Sequence, residues 1–487
     1  MSKIEIVDST LRDGVQSLWA LRIRTEEILP VARDFDNAGF NVIDITGTGF
    51  TSFFAKQLRE DPWVRVERLK SAIKNTPLQC WMRTREINDF GGVPKSRELA
   101  KLWIKEMANC GINRMVFLES ENDFGNIPEL IQFAHSVGVK VIVPIMFSIS
   151  PYHTYEYYKE KARVLSDLGA DAIEIKDQGG LLTPESTKWF VQSIKEGVKG
   201  AEVQLEFQTH CTTGLGMLSS LAAIEEGVHI IRTCIPPLAE GSSLPNAITL
   251  LNNARSMGFS DDIDRGCLER ISEHLTYVAK RESLPVGAPV EYDVFQYEHQ
   301  VPGGVKATLK WQLSQLGRLD VYDDVLHETI RVRQDLGYPI MVTPASQYIV
   351  AQATINVLSG ERYKKITDEI MAKAILPSAV PPPGPVSDEL LSKIKKNPRA
   401  EQILKQGEDT VSLDELRERL SATNLSDREF LSRSAIQPED LAAVKSTPLV
   451  HHYPTGHQPL KALLQEILSG KRRSVYIKKD DISIRVE

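Results

Sequence analysis

Eight short apolar runs rich in β-branched residues recur along the first half of the chain. They are KIEIVD (3–8), NVIDIT (41–46), LQCWMR (78–83), RMVFLE (114–119), KVIVPIMF (140–147), DAIEIK (171–176), VQLEFQ (203–208) and HIIRTC (229–234). Their starts lie about 25–40 residues apart, the length of a strand, a loop and a helix. Helical patterns fill the gaps, and RTEEILPVARDFDNAG (24–39) reads as one such helix closed by a glycine. Near-continuous apolar strands alternating with amphipathic helices specify an α/β chain with a parallel sheet. Eight such units over about 250 residues fit a closed (β/α)8 TIM barrel better than an open doubly wound sheet.

After about residue 260 the β period fades. DRGCLERISEHLTYVAKRE (264–282), SQYIVAQATINVLSG (346–360) and YKKITDEIMAKAIL (363–376) read as helices, as do AEQILK and LDELRERLS further on. SAVPPPGPVSDE (378–389) is a proline-rich break, and SVYIKKDDISIRVE at the end alternates like a strand. The expected organisation is a catalytic barrel over 1–260 and a mainly helical C-terminal domain over 261–487.

Barrels of this kind carry their reactive groups at the C-terminal ends of the strands. Three stretches run from an apolar strand into a polar loop: DSTLRDGVQS (8–17), EIKDQGGLLTP (174–184) and EFQTHCTTG (206–214). They place Asp13 after the first strand, Lys176 at the end of the sixth, and Gln208 and His210 at the end of the seventh. Arg83 closes the third strand. All five are expected to face one mouth. Asp13 and His210 are ordinary ligands for a divalent cation such as Zn, Mn, Co or Mg. A lysine buried beside a cation is a poor ligand as ammonium, because burial and like charge both oppose protonation. As a neutral amine it ligates directly, or adds carbon dioxide and offers carbamate oxygens. Arg83 offers a planar fork to a carboxylate, with Gln16 and Arg12 as further substrate-binding candidates. Metal and arginine together suit a 2-oxo acid: one polarises the carbonyl and the other holds the carboxylate.

The net charge of −7 argues against a nucleic-acid or anionic-membrane surface. The longest apolar run, VKVIVPIMFSI (139–149), falls short of a bilayer span, and MSKIEIVDST lacks the features of a signal peptide. Five scattered cysteines without a CxxC pair fit free thiols in a reducing cytoplasm. HHYPTGH (451–457) reads as a polar loop rather than a metal site, and GKRR with IKKDD (470–481) as a solvated surface.

At these residues the chain resembles the biotin-dependent carboxyltransferases. That family includes the carboxyltransferase domain of pyruvate carboxylase, the alpha subunit of oxaloacetate decarboxylase and the central subunit of transcarboxylase. The resemblance extends through LREDPW (58–63), SISPYHT (148–154), HQVPGG (299–304), VRQDLGYPIMVTPASQ (332–347) and INVLSGERYK (355–364). It implies that Asp13, a carbamylated Lys176 and His210 hold a metal, and that Gln16 and Arg83 hold a pyruvate-type substrate. It also implies a homodimer. No biotin-accepting AMKM-like sequence occurs in the chain, so biotin is expected on a separate carrier protein, with a biotin carboxylase subunit as a further partner.

Two positions depart from the family pattern. Gln208 stands where the family has a second metal-binding histidine, and an amide oxygen is a weaker zinc ligand than imidazole. The family's proton-shuttling Thr or Ser after PGG is here Ala307, in PGGVKATL, with Thr308 next to it. One residue along a helix is a turn of about 100°, which argues against Thr308 as a replacement. Gly14–Val15 also stands where these carboxyltransferases carry Ala–His, and DGVQ is nearer to the isopropylmalate synthase and hydroxymethylglutaryl-CoA lyase group. The leading expectation is a carboxyltransferase-type subunit acting on a 2-oxo acid through a metal-stabilised enolate. A biotin-independent decarboxylase or C–C lyase on the same barrel comes second, favoured by Ala307. A non-catalytic scaffold subunit comes third.

Overall fold

The computed structural model describes residues 2–85, 97–376, 380–406, 411–450, 453, 475–479 and 482–486. Its first half is a closed barrel of eight parallel strands. They are β1 (Glu5–Asp8), β2 (Val42–Gly47), β3 (Leu78–Arg83), β4 (Arg114–Leu118), β5 (Lys140–Met146), β6 (Ala172–Asp177), β7 (Gln204–Thr209) and β8 (Ile230–Thr233). Each sequence run yields one strand, and β1 closes on β8 with Glu5 beside Ile230 and Asp8 beside Thr233. The outward faces pack under the surrounding helices in one large apolar core.

The inward faces are different. Part of the barrel interior is filled by a small apolar cluster of Trp81, Val116, Ile142 and Ala172, with Leu118 against it. Other inward positions carry charges in contact with one another. Glu174 and Glu206 are register partners on β6 and β7, an arrangement that like charges oppose. Arg232 of β8 answers both, with Nη2 2.8 Å from Glu206 and Nε 3.5 Å from Glu174, and Nη1 also lies 3.5 Å from Asp44. Arg114 pairs with Glu206 as well.

Three expected elements differ. The segment 24–39 is not one helix: it breaks into Thr25–Ile28, a tight turn at Leu29–Val31 and a helix over Ala32–Asn37. Pro30, which cannot donate a backbone hydrogen bond, sits at the break. The expected C-terminal strand is a two-stranded antiparallel pair, β9 (Val475–Lys479) with β10 (Ile482–Val486). The helix expected over 363–376 is shorter, Asp368–Ile375, and starts where Thr367 caps the Ile370 amide. Of the HHYPTGH stretch only Tyr453 belongs to the described residues.

The helices beyond the barrel form a second core from Val301 to Ile403. Ile340 and Val342 of this part sit on Met146 at the mouth of the barrel, with Leu118 packed against them, covering the ends of β4 and β5. Later helices, Leu413–Arg419 and Asp427–Ala435, place Leu416, Phe430 and Leu431 back in the barrel's outer core.

Candidate active site

Directly after β1 the chain makes a wide π-type turn over Thr10–Gly14, a feature frequent at functional sites. It aims Asp13 into the barrel mouth, where the carboxylate is buried. Gly14 is needed for the close approach: a Cβ there would lie 2.8 Å from the Leu238 carbonyl oxygen and 3.1 Å from Cys234 Sγ. Opposite, Gly180 at φ +64° lets the loop after β6 run beside the backbone of His210, whose carbonyl a Cβ would meet at 2.8 Å.

Asp13, Lys176, Gln208 and His210 meet as expected. Lys176 Nζ donates to Gln208 Oε1 at 2.7 Å and to Glu174 Oε1 at 3.1 Å. Gln208 Nε2 in turn donates to Asp13 Oδ2 at 2.9 Å. Arg12 Nη1 reaches the same oxygen at 2.6 Å, and the Ser17 hydroxyl donates to Oδ1 at 2.9 Å. His210 Nδ1 lies 2.7 Å from the Ser242 carbonyl, which accepts only a proton-bearing nitrogen. Its Nε2 lies 3.6 Å from Asp13 Oδ1 and 3.5 Å from the amide nitrogens of both Gln178 and Gln208. Burial opposes the charge on Asp13, but His210, Arg12, Lys176 and the Ser17 hydroxyl outweigh it and hold the carboxyl well below its ordinary value. Burial pulls the Lys176 ammonium down, against the opposing pull of Glu174 and Asp13.

These residues fit a divalent cation in part. Two ligands on a tetrahedral metal with bonds of about 2.0–2.2 Å lie about 3.3–3.6 Å apart, close to the Asp13–His210 separation. Hydrogen bonding of His210 to Ser242 is the usual way a ligand imidazole is oriented. Lys176 and Gln208 point at each other instead, and no cluster of three His, Cys, Asp or Glu side chains exists among the described residues. Charge points the same way. Among the described residues the connected ion pairs hold Arg12, Arg114, Lys176 and Arg232 against Asp13, Asp44, Glu174 and Glu206, which cancel. Turning the Lys176 ammonium into a carbamate would leave two negative charges, which one divalent cation balances.

Arg83 ends β3 beside Leu118, two residues beyond Trp81 and on the same inward parity. That places it about 6–7 Å further up the strand, at the rim. The Lys176–Asp177 neighbours do not form a loop ion pair: Asp177 accepts from the Leu181 and Leu182 amides and the Thr209 hydroxyl. Missed at the sequence level are Trp81, Asp44, Glu174, Glu206 and Arg232. Glu174 and Glu206 each lie two residues before a named site residue on the same strand, so the two-residue period marks them.

Beside the charged cluster opens a cavity of about 640 Å³. On the barrel side it is lined by Gln16, Ser17, Gln178, His210, Thr212 and Ser242. The other wall is two helices, Gly303–Gln315 and Ala345–Ser359. The first contributes Val305, Thr308, Leu309 and Gln312, and the second Gln347, Val350, Ala351, Thr354 and Ile355. Both sets follow the i, i+3, i+4, i+7 spacing of one helical face. Thr308 is on that face and Ala307 one residue off it, contrary to the expectation that the adjacent position is turned away. Among the described residues, Lys, Arg, Asp and Glu are all absent from the lining.

An HMGL-like family model matches residues 3–273, and a conserved carboxylase domain matches residues 297–445. A pyruvate carboxylase subunit of Methanocaldococcus jannaschii is 36% identical over 394 residues, covering 80% of this chain and 68% of that protein. The chain belongs to the biotin-dependent carboxyltransferase family. It is an enzyme of the carboxyltransferase type. The 2-oxoglutarate carboxylase large subunit of Hydrogenobacter thermophilus is 32% identical over 392 residues, 80% of this chain and 60% of that one. Among solved structures, the carboxyl transferase domain of Rhizobium etli pyruvate carboxylase with oxamate and biotin shares the fold. It has a TM-score of 0.79 at 22% identity, over 91% of this carboxyltransferase and 77% of that chain.

Proposed function

We propose that this carboxyltransferase moves a carboxyl group between biotin, borne by a separate carrier protein, and a 2-oxo acid of the pyruvate or oxaloacetate type. The observation that carries the reading is the pairing of two unlike compartments at one barrel mouth. The charged cluster suits a small anionic acid. Among the described residues the adjoining cavity is lined by no Lys, Arg, Asp or Glu, only by amides, hydroxyls and the His210 imidazole over an apolar floor of Val305, Leu309, Val350 and Ile355. A neutral ureido ring on an apolar chain has the matching chemistry: hydrogen bonds at one end and no charge to neutralise. A phosphate-bearing cosubstrate would need cations there.

Arg83 and Gln16 hold the acid, the first through its carboxylate. A divalent cation held by Asp13, His210 and Lys176, with Gln208 beside them, would polarise the 2-oxo carbonyl. In the transfer, the carboxyl–nitrogen bond of carboxybiotin breaks and a carbon–carbon bond forms at the methyl carbon of the enol. The proton lost from the acid returns to the ureido nitrogen. Thr308, whose hydroxyl donates to the Gly304 carbonyl at 3.0 Å on the cavity wall, passes that proton. Arg12, buried against Asp13, steadies the carboxylate of Asp13.

The test is turnover of oxaloacetate, and of other carboxylated 2-oxo acids, by the purified chain with and without free biotin. Metal content of the same preparation and of His210→Ala is read by elemental analysis. Biotin-dependent decarboxylation supports the proposal. Turnover indifferent to biotin would replace it with the decarboxylase or lyase reading, and loss of no metal in His210→Ala would remove the ligand set.

A further inference from the structure

Trp81 has no part in the steps above, yet it touches the machinery at several points. It is 4% exposed, on the inward face of β3 at the level of Lys176. Lys176 Nζ stands 4.2 Å from its ring centre and the Arg12 guanidinium 4.1 Å, with Arg232 at 5.8 Å. Its indole N–H donates to the buried Asp44 carboxylate, which fixes the ring about its long axis.

We propose that Trp81 is a positioning residue: its π face holds the Arg12 guanidinium where it meets Asp13. A guanidinium drawn into a buried mouth is attracted by a ring quadrupole that adds no charge of its own. The guanidinium is thereby kept 2.6 Å from Asp13 Oδ2.

The proposal rests on the carboxyl-transfer reading for its kinetic arm only. Trp81→Phe keeps a π face, whereas Trp81→Leu and Trp81→Met keep bulk without one. In the biotin-dependent decarboxylation of oxaloacetate, kcat is expected to fall about 10–100-fold in Leu and Met. The Phe variant is expected to recover most of the rate, while KM for the acid stays level in all three. A structural filler would instead give rates that follow the thermal midpoints of the variants. Equal rates in Phe and Met at equal thermal midpoints overturn the proposal. Crystal structures of wild type and whichever aliphatic variant folds give a readout free of turnover: the Arg12 guanidinium is expected to leave Asp13. An unchanged Arg12 position overturns the proposal even if wild type proves inactive with biotin, an outcome that would separately refute the transfer reading.

Discussion

The hydroxyl that serves biotin is the sharpest point to test, because Ala307 at the family's position and Thr308 on the cavity wall make opposite demands. Thr308→Val keeps the branched shape and removes the proton. Relay by a positioned acid–base group contributes about 10²–10⁴-fold. Here the hydroxyl already donates to the Gly304 carbonyl at 3.0 Å and must give up that bond to act. A neutral hydrogen bond is worth about 0.5–1.5 kcal/mol, a factor of about 2–13. The expected loss in Thr308→Val is therefore about 10–10³-fold in biotin-dependent decarboxylation of oxaloacetate. Thr308 is exposed, so the thermal midpoint should stay near wild type. Biotin-dependent turnover undiminished in Thr308→Val would refute the relay, and a rise in Ala307→Thr with no loss in Thr308→Val would return the role to position 307.

Gly14→Ala should cost about 1–3 kcal/mol by urea denaturation, since its Cβ meets the Leu238 carbonyl at 2.8 Å, and a neutral result would show that the turn after β1 yields freely. Arg83→Lys should raise KM for the 2-oxo acid about 10–100-fold with its charge retained, because the bidentate fork is lost; an unchanged KM would remove Arg83 from the substrate. Glu119 is pushed up to about 7 by burial, against Arg85. A carboxyl raised in the folded state lends stability in full below its ordinary value near 4.3, and that stability is lost as pH rises to about 7. Thermal midpoints of Glu119→Gln should accordingly fall less than those of wild type between pH 5 and pH 7.5, and parallel curves would refute the assignment.

The barrel was legible because eight apolar runs repeat at the spacing of a strand and a helix, a pattern few other architectures satisfy. Asp13, Lys176, Gln208 and His210 were legible for a related reason, since closure brings strand ends together whatever their separation in the chain. The charged barrel interior was within reach of the same period-two logic, yet a run such as DAIEIK reads as apolar with Glu174 an exception rather than an inward position. Pro30 marked the broken helix plainly, and the apolar period around it masked the mark. The cavity was a different matter. Its lining joins Gln16 on the barrel side to Thr354 on the opposite wall, far apart in the chain, and nothing in the helix Gly303–Gln315 says which face meets the barrel. Only the packing of Ile340 and Val342 on Met146 settles that, and with it the side on which Thr308 stands.

Keeping one compartment charged and the other neutral has a functional logic that can be tested by breaking it. A small 2-oxo acid binds through its carboxylate, so charge near Arg83 selects it. A biotin ring visiting on a carrier must enter and leave every cycle, so tight ionic contacts would slow its release. Ala351 lies on the cavity wall, exposed and on the helix Ala345–Ser359, remote in sequence from every residue of the charged cluster. Ala351→Asp places a carboxylate in this compartment, whose lining holds no Lys or Arg among the described residues. Seating an uncharged ring there would force that carboxylate to shed water, at about 1–3 kcal/mol. KM for free biotin should then rise about 5–150-fold, while binding of oxamate, a 2-oxo acid analogue, stays at its wild-type affinity by calorimetry. Weakening of both ligands together would show a single shared pocket. Weakening of neither would show that biotin binds elsewhere on the barrel mouth.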